Sequence, residues 1–308
     1  MRLLRSTGNE SAPLEFAEGP APVPASDAVL VDVKAVSVNR GDLLMTTMNP
    51  VGWELGWDIA GVVSQAAADG TGPAVGTRVV ARVDGAGWAE QAAVPVARLA
   101  ALPAHVPFTE AATLGVAGLT ALRLLRASGQ TLGKRILVTG AAGGVGRFLI
   151  ELGAAAGARI TAVVGSTERG KGLRELGADE VVTDIADAPG SYDVIVDNAG
   201  GDSLRTALGK IAPGGLLFLA GNSSGESTSI NFFEFFGGHE AAQLKQFLFD
   251  AEGSDADDLA LLVDLVASER LHPLVSVSPD WSQANEVAAQ LMGRQVAGKA
   301  VLTLGTQA

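Results

Sequence analysis

Leu137-Val138-Thr139 runs into Gly140-Ala141-Ala142-Gly143-Gly144-Val145-Gly146 and then FLIELGAAAGA. Read in order, these are an apolar strand, a tight glycine loop and an amphipathic helix. A glycine loop there lets backbone N–H groups approach a pyrophosphate, and the helix N-terminus favours its negative charge. The spacing is GxxGxxG with an additional Gly144 rather than strict GxGxxG, and glycine runs also arise where a helix simply crosses close to a strand. A second strand, ARITAVVG, follows at the distance a dinucleotide-binding unit needs. Gly140, Ala142, Gly143, Gly144, Val145 and Gly146 are therefore the first cofactor-binding candidates.

Around this loop the chain changes texture twice. Between Ala28 and about Val96 the apolar residues come in short β-branched runs (AVLVDVKAVSV, IAGVVS, TRVVARV, EQAAVPV) separated by turn signals such as Asp69-Gly70, as in an all-β half. From TEAATLGVAGLTALRLLRAS the period becomes helical, opened by Thr109 and Glu110 in a capping pattern. KRILVTG, ARITAVVG, EVV, YDVIVDNAG and GGLLFLAGN then read as strands, with helices over 143–157 and ERGKGLRELGA. That alternation predicts an α/β unit, a parallel sheet with helices on both faces. A Ser-rich loop follows, then INFFEFFGG; six of the ten Phe fall between Phe232 and Phe249. The tail returns to short strands around one helix, SQANEVAAQLMG. With 308 residues, two domains each have length for a core.

Composition removes several kinds of chemistry. Zero Cys excludes disulfides, thiolate metal sites and a cysteine nucleophile, and the three His are far apart in sequence. A formal charge of −12 repels phosphate backbones and anionic headgroups, which argues against nucleic acid and membrane surfaces as partners. No apolar stretch reaches the ~18 residues of a spanning helix, and MRLLRSTGNESAP lacks a signal-peptide core. The expectation is a soluble cytoplasmic protein.

A site for NAD places Asp or Glu at the end of the second strand, against the ribose 2′-hydroxyl. Here Ser166 stands there, followed by Thr167, Glu168, Arg169, Gly170 and Lys171. Small hydroxyls and two cations suit a 2′-phosphate, pointing to NADPH. The alternative is that Arg169 and Lys171 decorate a surface helix with Glu168 as their local partner.

TGAAGGVG, VVGSTERGKGLRELGADEVV, YDVIVDNAGG and LAGNSSG, together with AVSVNRGDLL, GWDIAGVV, VGTRVVARVDGAGWAEQAAVP, GVAGLTALRLL and GKAVL, resemble the zinc-independent quinone oxidoreductases of the medium-chain dehydrogenase/reductase superfamily. The resemblance covers nearly the whole chain. It implies a GroES-like β-barrel domain over 1–108, a Rossmann NADP-binding domain over 109–250, and a C-terminal segment, 251–308, that returns to the barrel. Zinc-dependent members carry Cys at the position of Asn39 and a His-Glu pair at Trp57-Asp58. With those replaced and the cysteine-rich lobe missing, no metal site is expected. Hydride then goes to an acceptor that is already electrophilic, a quinone or an α,β-unsaturated carbonyl.

By the same resemblance Asn39 is the first candidate to donate to the developing oxyanion, against the alternative that it caps its turn. Asp42 orders that turn. Thr120 lines the nicotinamide pocket or is merely packed. Asn198, Gly221 and Asn222 end strands where ligands bind, and Lys299 in GKAVL lies near the cofactor; solvated loop positions are the alternative reading for Asn222 and Lys299. Trp53 and Trp57 flank the substrate mouth, to stack on a flat acceptor or to fill core. Tyr192 opens a strand and is structural or at the cofactor, which leaves the proton donor unassigned. The phenylalanine segment is a lid or a contact between two copies, and a homodimer is expected. Two other readings stay open: a tailoring reductase of a large natural-product enone, and an NADPH-binding sensor or scaffold without turnover.

Overall fold

The computed structural model describes residues 1–248 and 253–305. It opens on a hairpin, β1 (Arg2–Ser6) and β2 (Leu14–Glu18). Then comes β3 (Ala28–Val38), whose valines at 29, 31 and 33 are buried, and whose next buried valines are 36 and 38. Alternation would put odd and even positions on opposite faces. A register shift between Val33 and Ala35 supplies the extra residue that turns Val36 and Val38 inward as well.

Helix α1 (Arg40–Met48) follows at once, with Asn39 as its N-cap. Next come β4 (Asp58–Gln65), β5 (Arg78–Arg82), β6 (Gln91–Pro95), β7 (Leu99–Ala101) and the single turn α2 (Phe108–Ala111). The N-cap of this last helix is Pro107, two residues ahead of the expected Thr109 cap. It gives way to a π-helical turn, Leu114–Gly118, before α3 (Leu119–Ala127). A reason for the break is visible at Gly115, where a Cβ would sit 2.4 Å from Asp58 Oδ1. The helix backbone makes room for a buried carboxylate.

The parallel unit contains β8 (Arg135–Val138), α4 (Gly144–Ala155), β9 (Arg159–Val163), β10 (Glu180–Val182), β11 (Tyr192–Asp197), α5 (Gly201–Leu208), β12 (Ile211–Leu219) and β13 (Gln243–Gln246). ERGKGLRELGA forms a 3-10 turn over Glu168–Gly170 and further turns instead of the expected α-helix. Three glycines in that stretch, with Gly172 and Gly177 at positive φ, break the periodicity. The C-terminal part adds α6 (Asp255–Ala267), β14 (Val275–Val277), α7 (Ala284–Met292) and β15 (Lys299–Thr303).

The chain divides into two compact units, Met1–Leu119 with the described residues from Gly253 onward, and the described residues of Thr120–Glu252. In the first, a seven-stranded sheet runs β14-β15-β3-β4-β5-β7 with β6 on β3, antiparallel except for β14 with β15. Its core gathers Val31, Val36, Ile59, Val79, Trp88, Val94 and Leu302. In the second, all six strands are parallel in the order β10-β9-β8-β11-β12-β13. This is the doubly wound order 3-2-1-4-5-6, in which ligands bind at the C-terminal ends of the strands where the order reverses, here between β8 and β11. The α/β architecture expected from the sequence is the one observed. Phe249 and the 250/251 boundary lie outside the described residues.

Candidate functional site

Two groups of candidate residues stand out, one in each unit. In the parallel unit, Gly140 takes φ +61° at the end of β8, and Gly143 becomes the N-cap of α4 with no side chain to cap the helix. The N–H groups of Gly144, Val145 and Gly146, unsatisfied by any capping side chain, open the helix, the arrangement that attracts an anion. A Cβ on Gly146 would come within 2.6 Å of the Ala141 backbone, so only glycine lets the helix pack this tightly against the loop.

Beside this turn the ends of β8 and β11 are tied together by buried Asp197. Thr139 Oγ1 donates to its Oδ1 at 2.7 Å and Gly200 N–H to its Oδ2 at 2.8 Å. Asn198 donates through its backbone N–H to Thr139 Oγ1 and through Nδ2 to Thr139 O, at 3.0 and 2.9 Å. Burial pushes the Asp197 carboxyl up, opposed by these donors. None of Thr139, Asp197 and Gly200 was a candidate from sequence, although Asp197 and Gly200 stand inside the quoted run YDVIVDNAGG. Gly221 and Asn222 are exposed beyond β12, and Asn222 Oδ1 accepts from Ser224 Oγ at 2.9 Å.

No acidic residue ends β9. Ser166 and Thr167 are exposed there, Arg169 is half-buried, and Lys171 pairs with Glu168 at 2.6 Å while both remain about three-quarters exposed. Thr120 is buried on α3. Tyr192 is buried with its hydroxyl donating to Thr161 Oγ1 at 3.0 Å.

In the first unit, β3, β4 and β15 bring three distant positions together. Val38 pairs with Ala300 and Ser37 with Asp58 across the sheet, which puts Asn39, Asp58 and Lys299 side by side. Asn39 N–H and Nδ2 donate to Asp42 Oδ2 at 2.9 and 3.0 Å, and Nδ2 also donates to Asp58 Oδ2 at 2.8 Å. Lys299 Nζ donates to Asn39 Oδ1 at 2.5 Å and lies 3.8 Å from Asp58 Oδ2. Asp42, Asp58 and Lys299 are all buried. Burial, then the charge of Asp58, pushes Asp42 up to about 7. Burial also raises Asp58 and lowers Lys299, each opposed by the other's charge. Trp57 is half-buried with its ring against Gly41, and Trp53 is 42% exposed.

Residues 25–104 match the family model described as alcohol dehydrogenase GroES-like domain, and residues 144–266 the one described as zinc-binding dehydrogenase. The 2-methylene-furan-3-one reductase of Solanum lycopersicum is 32% identical over 231 residues, 65% of this chain and 59% of that protein, so this chain spans less than two thirds of its length. A quinone oxidoreductase of Pseudomonas aeruginosa is 31% identical over 240 residues, 71% of this chain and 72% of that protein. The chain belongs to the zinc-independent, quinone oxidoreductase-like family of medium-chain dehydrogenases/reductases. In fold, this family member is similar to the Escherichia coli quinone oxidoreductase complexed with NADPH, with a TM-score of 0.88 and 22% identity over 98% of this chain and 100% of that one.

The family-model description mentions zinc, and the residues here do not fit that ion. The described residues hold no group of three His, Cys, Asp or Glu side chains able to share a metal. Beside Asp58 the positive charge is already present as the Lys299 ammonium, and a second cation there would be repelled. No helix of the described residues is long and apolar enough to cross a membrane.

Proposed function

We propose that this chain is an NADPH-dependent oxidoreductase that reduces quinones or α,β-unsaturated carbonyls without a metal. The observation that carries the reading is the uncapped N-terminus of α4 behind the Gly140–Gly143–Gly146 turn, at the point where the sheet order reverses. Gly140, Ala142, Gly143, Gly144, Val145 and Gly146 would hold the pyrophosphate. Ser166, Thr167, Arg169 and Lys171 would hold the 2′-phosphate, a reading supported by the lack of an acid at the end of β9. Asn198, Gly221 and Asn222 complete the rim at the ends of β11 and β12. When bound, NADPH supplies the hydride.

The residues supply position and charge. The Asn39, Asp42 and Lys299 cluster is the polar part of the reading that handles negative charge developing on the acceptor oxygen. Thr120, buried on α3, would line the nicotinamide pocket, and the Trp53 and Trp57 rings would offer flat surfaces to a flat acceptor. With no metal in the scheme, the acceptor must be electrophilic by itself. The reading includes a cytoplasmic homodimer whose contact is the β13 edge with exposed Phe232, Phe233 and Phe236. The test is loss of NADPH absorbance with a panel of 1,4-quinones and conjugated enones, with and without chelator. Chelator-insensitive oxidation is expected; NADPH binding with no turnover across the panel would sink the assignment.

A further inference from the structure

Asn39 carries an amide with two faces of opposite polarity, and the chain surrounds it with charges of matching sign. Both Nδ2 protons go to carboxylates, Asp42 Oδ2 at 3.0 Å and Asp58 Oδ2 at 2.8 Å, and Oδ1 receives the Lys299 ammonium at 2.5 Å. The reverse orientation would set the amide oxygen against two carboxylates and its N–H groups against a cation, so the flip state follows from the charges. Lys299 stands in a strand whose five residues are all buried, and a buried ammonium is tolerated only when paired and hydrogen-bonded. The same bonds that orient Asn39 therefore keep Lys299 in place.

We propose that Asp42, Asp58 and Lys299 are positioning residues that lock the Asn39 carboxamide, so that this cluster offers an acceptor molecule ammonium protons and an amide oxygen lone pair, and no amide N–H. This rests on the oxidoreductase reading for its effect on turnover. It reverses the role that sequence assigned to Asn39, whose N–H groups are both already engaged within the chain. Two carboxylates face one ammonium, and the charged groups facing Asp42 are Asp58 from β4 and Lys299 from β15. Asp42 Oδ1 has no hydrogen-bond partner. A proton there leaves both Asn39 bonds to Oδ2 intact, so the lock survives protonation while the net charge of the cluster changes by one. That change falls near neutrality, since Asp42 is pushed up to about 7.

The experiment compares Lys299→Met, Asp58→Asn, their double variant and Asp42→Asn in the full-length chain. Lys299→Met is expected to lower both Tm and kcat, the latter on the order of 100-fold, as for loss of orientation. Adding Asp58→Asn removes one of the two stranded carboxylates and leaves Asp42, which is raised towards neutrality, so it is expected to restore much of the Tm but not kcat. Joint recovery of Tm and kcat would make the cluster merely structural and overturn the proposal. In the wild type kcat/KM should show a limb near 7 that disappears in Asp42→Asn; a limb unchanged by that substitution also overturns it. Side-chain amide NMR of Asn39 decides the lock without turnover. Slow exchange and shifts displaced from those of an exposed Asn, which move through the Asp42 titration and are lost in Lys299→Met, support it, and signals like those of an exposed Asn refute it. If the wild type reduces no acceptor, the function reading fails while these resonances still decide the lock.

Discussion

Asp42 shows how burial turns a common carboxylate into a group with a physiological titration. Its unfolded value is near ~4, and burial beside Asp58 pushes the folded value up to about 7. The folded chain therefore holds a proton there that the unfolded chain releases. The stability linked to that proton is full below the unfolded value and is lost as pH rises through the folded one. Thermal melts across pH should show stability falling between about 4 and about 7, and Asp42→Asn should flatten that fall. A slope identical in wild type and variant would dissociate Asp42 from it. Sequence marked Asn39, Asp42 and Lys299 one by one but not their union. Lys299 and Asn39 are 260 positions apart, and no local pattern announces that a sheet register makes them neighbours.

Elements with a strong period were legible. The β-branched runs became β3, β4, β5 and β6, and the glycine loop became the α4 turn, because each carries its reason within a few residues. The hairpin β1–β2, the edge strand β13 and helix α6 were not anticipated. QLKQ in β13 is too short and polar to read as a strand, and it forms one only by pairing with Leu216–Leu219. The ERGKGLRELGA segment matters here too, because its turns keep Arg169 and Lys171 close to the end of β9. Substituting both by Ala should weaken NADPH binding by about 10- to 100-fold, the loss expected for charge-assisted hydrogen bonds, with little effect on NADH. Titration calorimetry checks it, and equal losses for both cofactors would return these cations to surface decoration.

Across the whole molecule, two features lend themselves to measurement. Phe232, Phe233 and Phe236 are 69%, 74% and 56% exposed, with their ring centroids 5.4 to 6.1 Å apart; a cluster that apolar marks an interface more often than bare surface. Phe232→Ser with Phe233→Ser should shift the protein to monomer in analytical ultracentrifugation, and an unchanged mass would remove this cluster from the proposed contact. In the first unit, Arg82 Nε meets Asp255 Oδ2 at 2.7 Å, both nearly buried, tying β5 to α6. Asp255→Ala leaves the buried guanidinium with the Asp84 carboxylate, 3.2 Å away, and should cost about 1–3 kcal/mol in chemical denaturation.

The tie between β5 and α6 belongs to a larger circumstance: the first unit is assembled from both ends of the chain. Its strand β15 comes last among the described strands, yet it lies inside the sheet between β14 and β3. On a ribosome adding about 5–20 residues per second, the 184 residues from 119 to 303 take roughly 10 to 40 s. During that interval the parallel unit is itself made, while β3 waits with an open edge and Asp58 waits for its cation. The open edge of β3 is thus a consequence of the order of synthesis, and the strand that carries Lys299 closes it.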